Sequence, residues 1–149
     1  MKQQGTLPDM DAASLVVSPI ETAETIPSSW YTDDRFHTAD VEHVLRPSWQ
    51  YVAHACQLRA PGDHVADRVA GEPVLVARGR DERLRAFYNV CRHRGGPLVM
   101  DRCGSAALLQ CKYHGWTYRL DGSLRGVPRF EAVLERARKM EAGLHMEIT

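Results

Sequence analysis

The chain lacks any surplus of charge and any long apolar run. Lysine plus arginine equals aspartate plus glutamate at 19 each in 149 residues, so no net field draws the protein to nucleic acid or to an anionic membrane. The run "LVV" near the N-terminus is too short for the core of a secretory signal, and nothing approaches the roughly 18 apolar residues of a membrane span. We therefore expect a cytoplasmic protein whose function depends on local sites.

Cysteine is scarce, with only four residues, and no internal repeat is visible. In a reducing compartment four thiols are expected to bind metal or to be buried, because disulfide frameworks belong to oxidising environments. The 44% hydrophobic content is sufficient for one core. The composition thus predicts one compact domain.

The chain divides into four predicted segments. Residues 1–29 lack periodicity and contain proline, serine and threonine, which predicts a mobile leader. Residues 30–48 predict a turn and a short helix, since apolar residues follow a helical spacing before Pro47. Residues 49–130 are predicted to form the main domain, and 131–149, rich in helix formers, a helical tail.

Short stretches between Gly, Pro and Asp predict the strands of the main domain. These stretches are "WQYVAHA", "HVADRVA", "EPVLVAR" and "LRAFYNV". The later "YRLDGSLRG" predicts a hairpin with a two-residue turn, because Asp-Gly supplies positive φ angles. The predicted fold class is mainly β, an antiparallel sandwich or small barrel with a short N-terminal helix and a C-terminal helical segment.

Two cysteine–histidine pairs stand out. Cys91 and His93 form C-x-H, and after 17 intervening residues Cys111 and His114 form C-x-x-H. Each pair lies on a glycine-containing loop beside a predicted strand, so the fold could bring all four side chains to one point. Two thiolates and two imidazoles suit a [2Fe-2S] centre in which each pair gives one residue to each iron.

The glycines of these loops have a mechanical use. Gly95, Gly96 and Gly115 let the backbone approach such a cluster closely, so that amide groups could bond to its sulfurs. Their neighbours Tyr113 and Trp116 are predicted to shield the cluster and pack the loop.

The stretches "CRHRGGPL" and "CKYHGWTY" resemble the two cluster-binding loops of the Rieske domain in the large subunit of Rieske non-heme iron (ring-hydroxylating) oxygenases. The upstream "PSSWYTDDRF" resembles the choline, glycine betaine and carnitine monooxygenase branch. The resemblance covers about residues 26–130. It implies that Cys91 and Cys111 are ligands of one iron, and that His93 and His114 are ligands of the other.

Respiratory Rieske proteins resemble this pattern but carry a serine that donates a hydrogen bond to the cluster. This chain has no serine at the matching place in its second loop. Because hydrogen bonds to sulfur stabilise the reduced cluster, we expect a potential toward the lower part of the roughly −150 to +300 mV Rieske range.

The resembled oxygenases have a C-terminal domain with a mononuclear Fe(II) held by two histidines and a carboxylate. This chain ends at "GLHMEIT", before such a domain. The resemblance implies an electron-transfer domain, without catalytic residues of its own, that relays electrons from a reductase or ferredoxin to an iron in a catalytic domain or subunit. It also implies a homo-oligomer and a chain that is inactive alone.

Two alternatives stay open from the sequence. The chain could be a free-standing Rieske ferredoxin, although residues 1–45 exceed what such a carrier needs. It could also be a structural zinc module, although zinc sites usually pair Cys with Cys and His with His.

Other candidate residues carry simpler interpretations. His37, Asp40 and His43 have helical i, i+3, i+6 spacing, which faintly resembles a mononuclear iron motif but is typical of a solvated helix face. The remaining cysteines and the loop arginines form a second group. Cys56 and Cys103 are interpreted as ordinary thiols, and Arg92 and Arg94 as either exposed loop residues or a docking site for an acidic partner.

Overall fold

The computed structural model describes Leu15 and residues 17–128. The chain divides into two compact units between Gln50 and Tyr51. The predicted helical tail at 131–149 and residues 1–14 and 16 of the predicted leader lie outside the described residues. Among the helices that the structure describes, none has the length and apolar character needed to cross a bilayer.

The first unit contains two short helices, α1 (Ser29–Thr32) and α2 (Asp34–Asp40), and α2 continues into a π-helical turn, Val41–Leu45. Asp33 caps α2, since its carboxylate accepts the backbone N–H of Arg35 at 2.9 Å. Hydrogen bonds from the Arg35 side chain and backbone lower the pKa of Asp33 to about 2. Within the segment predicted to form a turn and a helix, a capping residue therefore fixes the start of α2.

Up to residue 128, where the described part of the second unit ends, the chain forms seven strands. They are β1 (Asp63–Val69), β2 (Glu72–Arg78), β3 (Leu84–Tyr88), β4 (Cys103–Ser105), β5 (Leu109–Gln110), β6 (Thr117–Tyr118) and β7 (Leu124–Gly126). One sheet has the order β3-β2-β1-β4 and the other the order β5-β6-β7. Every pairing is antiparallel, which confirms the predicted mainly β class.

Strand β2 separates two cores. Leu75 and Ala77 belong to the core that also contains both loop cysteines, whereas Val74 and Val76 belong to a second core with Leu58. Alternate residues of a strand point to opposite faces, so a central strand buried on both faces reads as a continuous apolar run. This explains why "EPVLVAR" predicted its strand with the correct bounds.

The predicted strand "WQYVAHA" is wrong. Residues 49–54 form no regular structure, and a 3₁₀ turn follows at Ala55–Gln57. His54 begins that turn, because its Nδ1 accepts the N–H of Cys56 at 3.2 Å while its own N–H donates to the Gln57 side chain at 3.0 Å. Such local side-chain bonds offer the backbone an alternative to a strand ladder.

The β6–β7 hairpin also differs from its prediction. The Arg119 N–H donates to the Ser123 carbonyl at 2.8 Å and the Gly122 N–H to the Arg119 carbonyl at 3.0 Å, so the loop has three residues. Gly122 has a φ of 87°, and one left-handed glycine after a type I turn is sufficient for this loop. The Asp-Gly pair predicted the hairpin but not the loop length.

Candidate metal centre

The two loops of the Cys–His pairs have the same backbone hydrogen bonds. In the first, the Cys91 N–H donates to the Gly96 carbonyl at 2.6 Å, and the Gly95 N–H donates to the Cys91 carbonyl at 2.9 Å. The loop at 111–116 repeats both bonds at 2.9 Å, the first of them to the Trp116 carbonyl. Each cysteine therefore lies at the base of a closed turn, with its histidine at the tip.

The residue that closes each turn is a glycine in the left-handed region. Gly95 has a φ of 72° and Gly115 a φ of 75°. Residues with a Cβ atom rarely adopt this conformation, because the Cβ approaches the following carbonyl oxygen. The glycine four residues after each cysteine is thus needed for the turn itself.

The four side chains of the pairs divide between core and solvent. Cys91 and Cys111 are 2% and 3% exposed and lie in the same core cluster. His93 and His114 are exposed, and their ring centroids are 4.6 Å apart with the ring planes at 76°. The structure thus brings the two thiols together beneath the loops and the two imidazoles together above them.

Tyr118 reaches this site from β6. Its hydroxyl lies 3.4 Å from the Cys91 sulfur and accepts the backbone N–H of Arg92 at 3.2 Å. Burial raises the pKa of Tyr118, and the hydrogen bond with Cys91 raises it further. The phenol therefore stays protonated and can donate a hydrogen bond to the sulfur. Sequence reasoning counted the serine hydroxyl as absent and missed this one, although Tyr118 ends the motif "CKYHGWTY".

Space is reserved between the loops. A Cβ atom at Gly96 would lie 3.4 Å from the Cys111 sulfur, so the backbone of the first loop lies directly against the thiol of the second. This contact is with the cysteine thiol; the predicted approach of the glycine backbone to the sulfurs of a bound cluster stays a prediction. A side chain at this position would occupy the space beside the sulfur.

Aromatic rings flank both imidazoles. His93 stacks on Trp116 with a centroid distance of 4.9 Å and an interplanar angle of 7°, and His114 contacts Tyr113 at 3.9 Å and 42°. The pKa of His93 is lowered, first by partial desolvation and then by the positive charges of His114 and Arg94. A neutral imidazole is the form that binds metals.

The donor set fits a two-metal group. Within residue 15 and residues 17–128, no three His, Cys, Asp or Glu side chains converge as a single bound ion would require. A [2Fe-2S] cluster takes two protein ligands on each iron, so a pair of buried thiols and an adjacent pair of imidazoles meets its needs. A one-ion tetrahedral zinc site needs all four around one point.

The other candidate residues form no site. His37, Asp40 and His43 are exposed, consistent with a solvated helix face. Cys56 and Cys103 are free and exposed.

Basic residues lie close to the two histidines along the chain. Arg92, Arg94 and Lys112 are all exposed. A separate cavity of about 540 Å³ contains none of the four predicted ligands, and its charged lining residues are Arg80, Asp81, Arg85, Arg119, Asp121 and Arg125.

Residues 48–137 match the Rieske [2Fe-2S] domain family, and the chain belongs to this family. This confirms the predicted fold and the predicted Rieske cofactor.

Relatives confirm the suspected branch. The chain is 41% identical to the carnitine monooxygenase oxygenase subunit of Escherichia coli over 70% of its own length and 28% of that subunit. It is 38% identical to the glycine betaine monooxygenase oxygenase subunit of Pseudomonas aeruginosa over 67% of its own length and 23% of that subunit. The chain thus spans about a quarter of these relatives.

A solved structure gives the same result. A quaternary ammonium Rieske monooxygenase, described for carnitine oxidation by gut microbiota and inter-subunit electron transfer, superimposes with a TM-score of 0.74 and 35% identity. The match covers 83% of this chain and 34% of that one.

Proposed function

We propose that Cys91, Cys111, His93 and His114 hold the Rieske cluster, the thiolates on one iron and the imidazoles on the other. The observation that carries the proposal is the pair of matching loops, which bury two thiols and place two imidazoles side by side at the surface. When bound, such a cluster takes up and releases one electron at a time.

The surroundings suit such a role. Tyr118 and the close backbone at Gly96 supply the polar contact and the space that cluster sulfurs require. The exposed rings of His93 and His114 would place the imidazole edge where a redox partner can approach it. The chain therefore serves as an electron-transfer domain rather than a site of substrate chemistry.

The partners follow from the same surface. We propose that a reductase or ferredoxin donates an electron to this domain. The domain then passes the electron to a mononuclear iron site in a catalytic domain or subunit outside this sequence. The relatives are longer than this chain, since the matched part covers only 28% and 23% of their lengths, which leaves room for such a domain. Arg92, Arg94 and Lys112 would attract an acidic partner to the imidazole edge.

By likeness to the carnitine and glycine betaine enzymes, the proposed complete system oxidises a quaternary ammonium compound. The relatives' names support this substrate class, and no residue of the described part of the chain selects among its members.

The test is an EPR spectrum of the dithionite-reduced protein, purified without oxygen, together with iron and acid-labile sulfide counts. We expect a rhombic signal with an average g value below that of the free electron, and two irons and two sulfides per chain. Cys91→Ser and Cys111→Ser should abolish the EPR signal and the bound iron and sulfide. The matched controls Cys56→Ser and Cys103→Ser should keep the signal and the iron and sulfide. A colourless, zinc-containing protein would contradict the proposal.

A further inference from the structure

Trp116 connects the core to the exposed edge of the site. Its side chain packs against the core cluster that contains both cysteines, and its carbonyl accepts the N–H of Cys111 at 2.9 Å. The position of the indole is therefore determined twice, by the backbone of its own loop and by the core beneath it.

The ring that Trp116 contacts belongs to the other loop. His93 lies parallel to the indole at 4.9 Å and 7°, whereas its own loop neighbours, Arg92 and Arg94, are exposed. An exposed imidazole with two free torsion angles otherwise samples several rotamers. A flat ring held from the core restricts that sampling to the planes parallel to it.

The second histidine has a different kind of neighbour. Tyr113 lies in the same loop as His114, is 66% exposed, and meets it at a 42° tilt. Among the residues that the structure describes, Trp116 packs against a core cluster and Tyr113 belongs to neither cluster. The two ligands of the proposed imidazole pair are thus oriented unequally, and the orientation of His114 relative to His93 follows from their edge contact at 76°.

We propose that Trp116 is a positioning residue that sets the ring plane of His93 and so holds this imidazole ready to bind iron. The inference rests on the proposed function, because it concerns one of its four ligands. The inference predicts that a planar ring at residue 116, rather than apolar volume, determines how firmly His93 binds iron.

The test compares Trp116→Phe with Trp116→Leu in the cluster-loaded full chain. Phenylalanine keeps a ring that can stack, while leucine keeps apolar bulk without one. Pulsed EPR measures the hyperfine coupling of each imidazole nitrogen, and exposure to an iron chelator measures the rate of cluster loss. We expect Trp116→Leu to change one of the two couplings and to speed cluster loss roughly three- to tenfold, and Trp116→Phe to stay close to the wild type.

Two further variants separate positioning from general stability. Leu98→Ala removes a buried side chain from the same core and should lower the unfolding midpoint without changing either coupling. Trp116→Leu is expected to alter one hyperfine coupling. Tyr113→Leu should not change that coupling.

Three outcomes overturn the inference. One is a Trp116→Leu protein with both couplings and the loss rate of the wild type. Another is a Leu98→Ala protein with the same altered coupling as Trp116→Leu, because the effect would then be one of stability alone. A wild-type protein that binds iron without imidazole-nitrogen couplings would instead refute the proposed ligand set, and this inference with it.

Discussion

The hydroxyl of Tyr118 lies 3.4 Å from the sulfur of Cys91, although 27 residues separate them in the chain. The oxygen also accepts the Arg92 N–H, so the phenol O–H can donate to the sulfur when Cys91 is a thiolate. One hydrogen bond to a thiolate ligand stabilises the more negative, reduced state of a bound cluster.

Tyr118→Phe is therefore expected to lower the reduction potential. A loss of about 1 kcal/mol of differential stabilisation corresponds to roughly 40 mV for a one-electron couple. Direct voltammetry of the loaded protein measures the shift. Tyr113→Phe, which removes an exposed hydroxyl, is the control and should not move the potential; equal potentials for Tyr118→Phe and the wild type would show that the bond does not act on the cluster.

Gly95 and Gly115 offer a matched pair, because their φ angles are nearly equal but their surroundings differ. A Cβ at Gly95 would meet no described residue within 4 Å, whereas one at Gly115 would lie 2.9 Å from the Cγ of Pro128. Gly95→Ala should cost about 1 kcal/mol of unfolding free energy from backbone strain alone, and Gly115→Ala should cost clearly more. Urea unfolding measures both, and equal costs would exclude the contact with Pro128 as a factor.

Ala70 is strained in the turn between β1 and β2. Val69 pairs with Glu72, so Ala70 and Gly71 form a two-residue loop with φ angles of 47° and 83°. Such loops favour asparagine at the first position, because its side chain tolerates the left-handed region. Ala70→Asn should raise the unfolding free energy by about 0.5–1 kcal/mol, measured by urea unfolding. A lower value than that of the wild type would contradict this account of the turn.

The ion pair of Asp81 with Arg85 is expected to make the stability of the main domain depend on pH. Its carboxylate accepts two hydrogen bonds from Arg85 at 2.8 and 2.7 Å, and these hold the pKa of Asp81 well below its usual range. A lowered folded-state pKa adds stability that is complete above the unfolded pKa, near 3.9, and is lost as pH falls through the folded value.

Asp81→Asn should accordingly unfold at lower urea than the wild type at pH 7, and the two midpoints should approach each other as the solution is acidified below about pH 4. Asp101→Asn, on an exposed bend, is the control. A gap between wild type and Asp81→Asn that widens in acid would have the wrong sign for this ion pair.

The positive charges of Arg92 and Arg94 should raise the rate at which an acidic electron donor associates with the site. Replacing Arg92 and Arg94 with glutamine is expected to slow reduction by an acidic ferredoxin about tenfold at low salt, because steering weakens with the local positive charge. The effect should vanish as salt shortens the Debye length. Stopped-flow reduction measures the rate, and the same double change at Arg80 and Arg125, which line the separate cavity, is the control. Equal slowing by both pairs would indicate an effect of net charge.

Short sequence patterns predicted several strands and both loops of the candidate site. Strands β1 to β3 follow from short stretches bounded by Gly, Pro and Asp, and the loops at 91–96 and 111–116 follow from a glycine at a fixed distance after each cysteine. These features depend on interactions between near neighbours, which the order of residues determines. The stretch "WQYVAHA" was predicted as a strand and is not one. The hydrogen bonds between His54 and the Ala55–Gln57 turn, which are also local, favour a 3₁₀ turn at its end.

The sequence by itself determined which residues could bind a cluster and which backbone turns would present them. Only the tertiary structure decided that the Tyr118 hydroxyl meets Cys91, that Gly96 lies against Cys111, and that Trp116 stacks on His93. Each of these contacts joins residues of different loops or strands. Their geometry depends on how two sheets pack around one core, and no spacing along the chain encodes it.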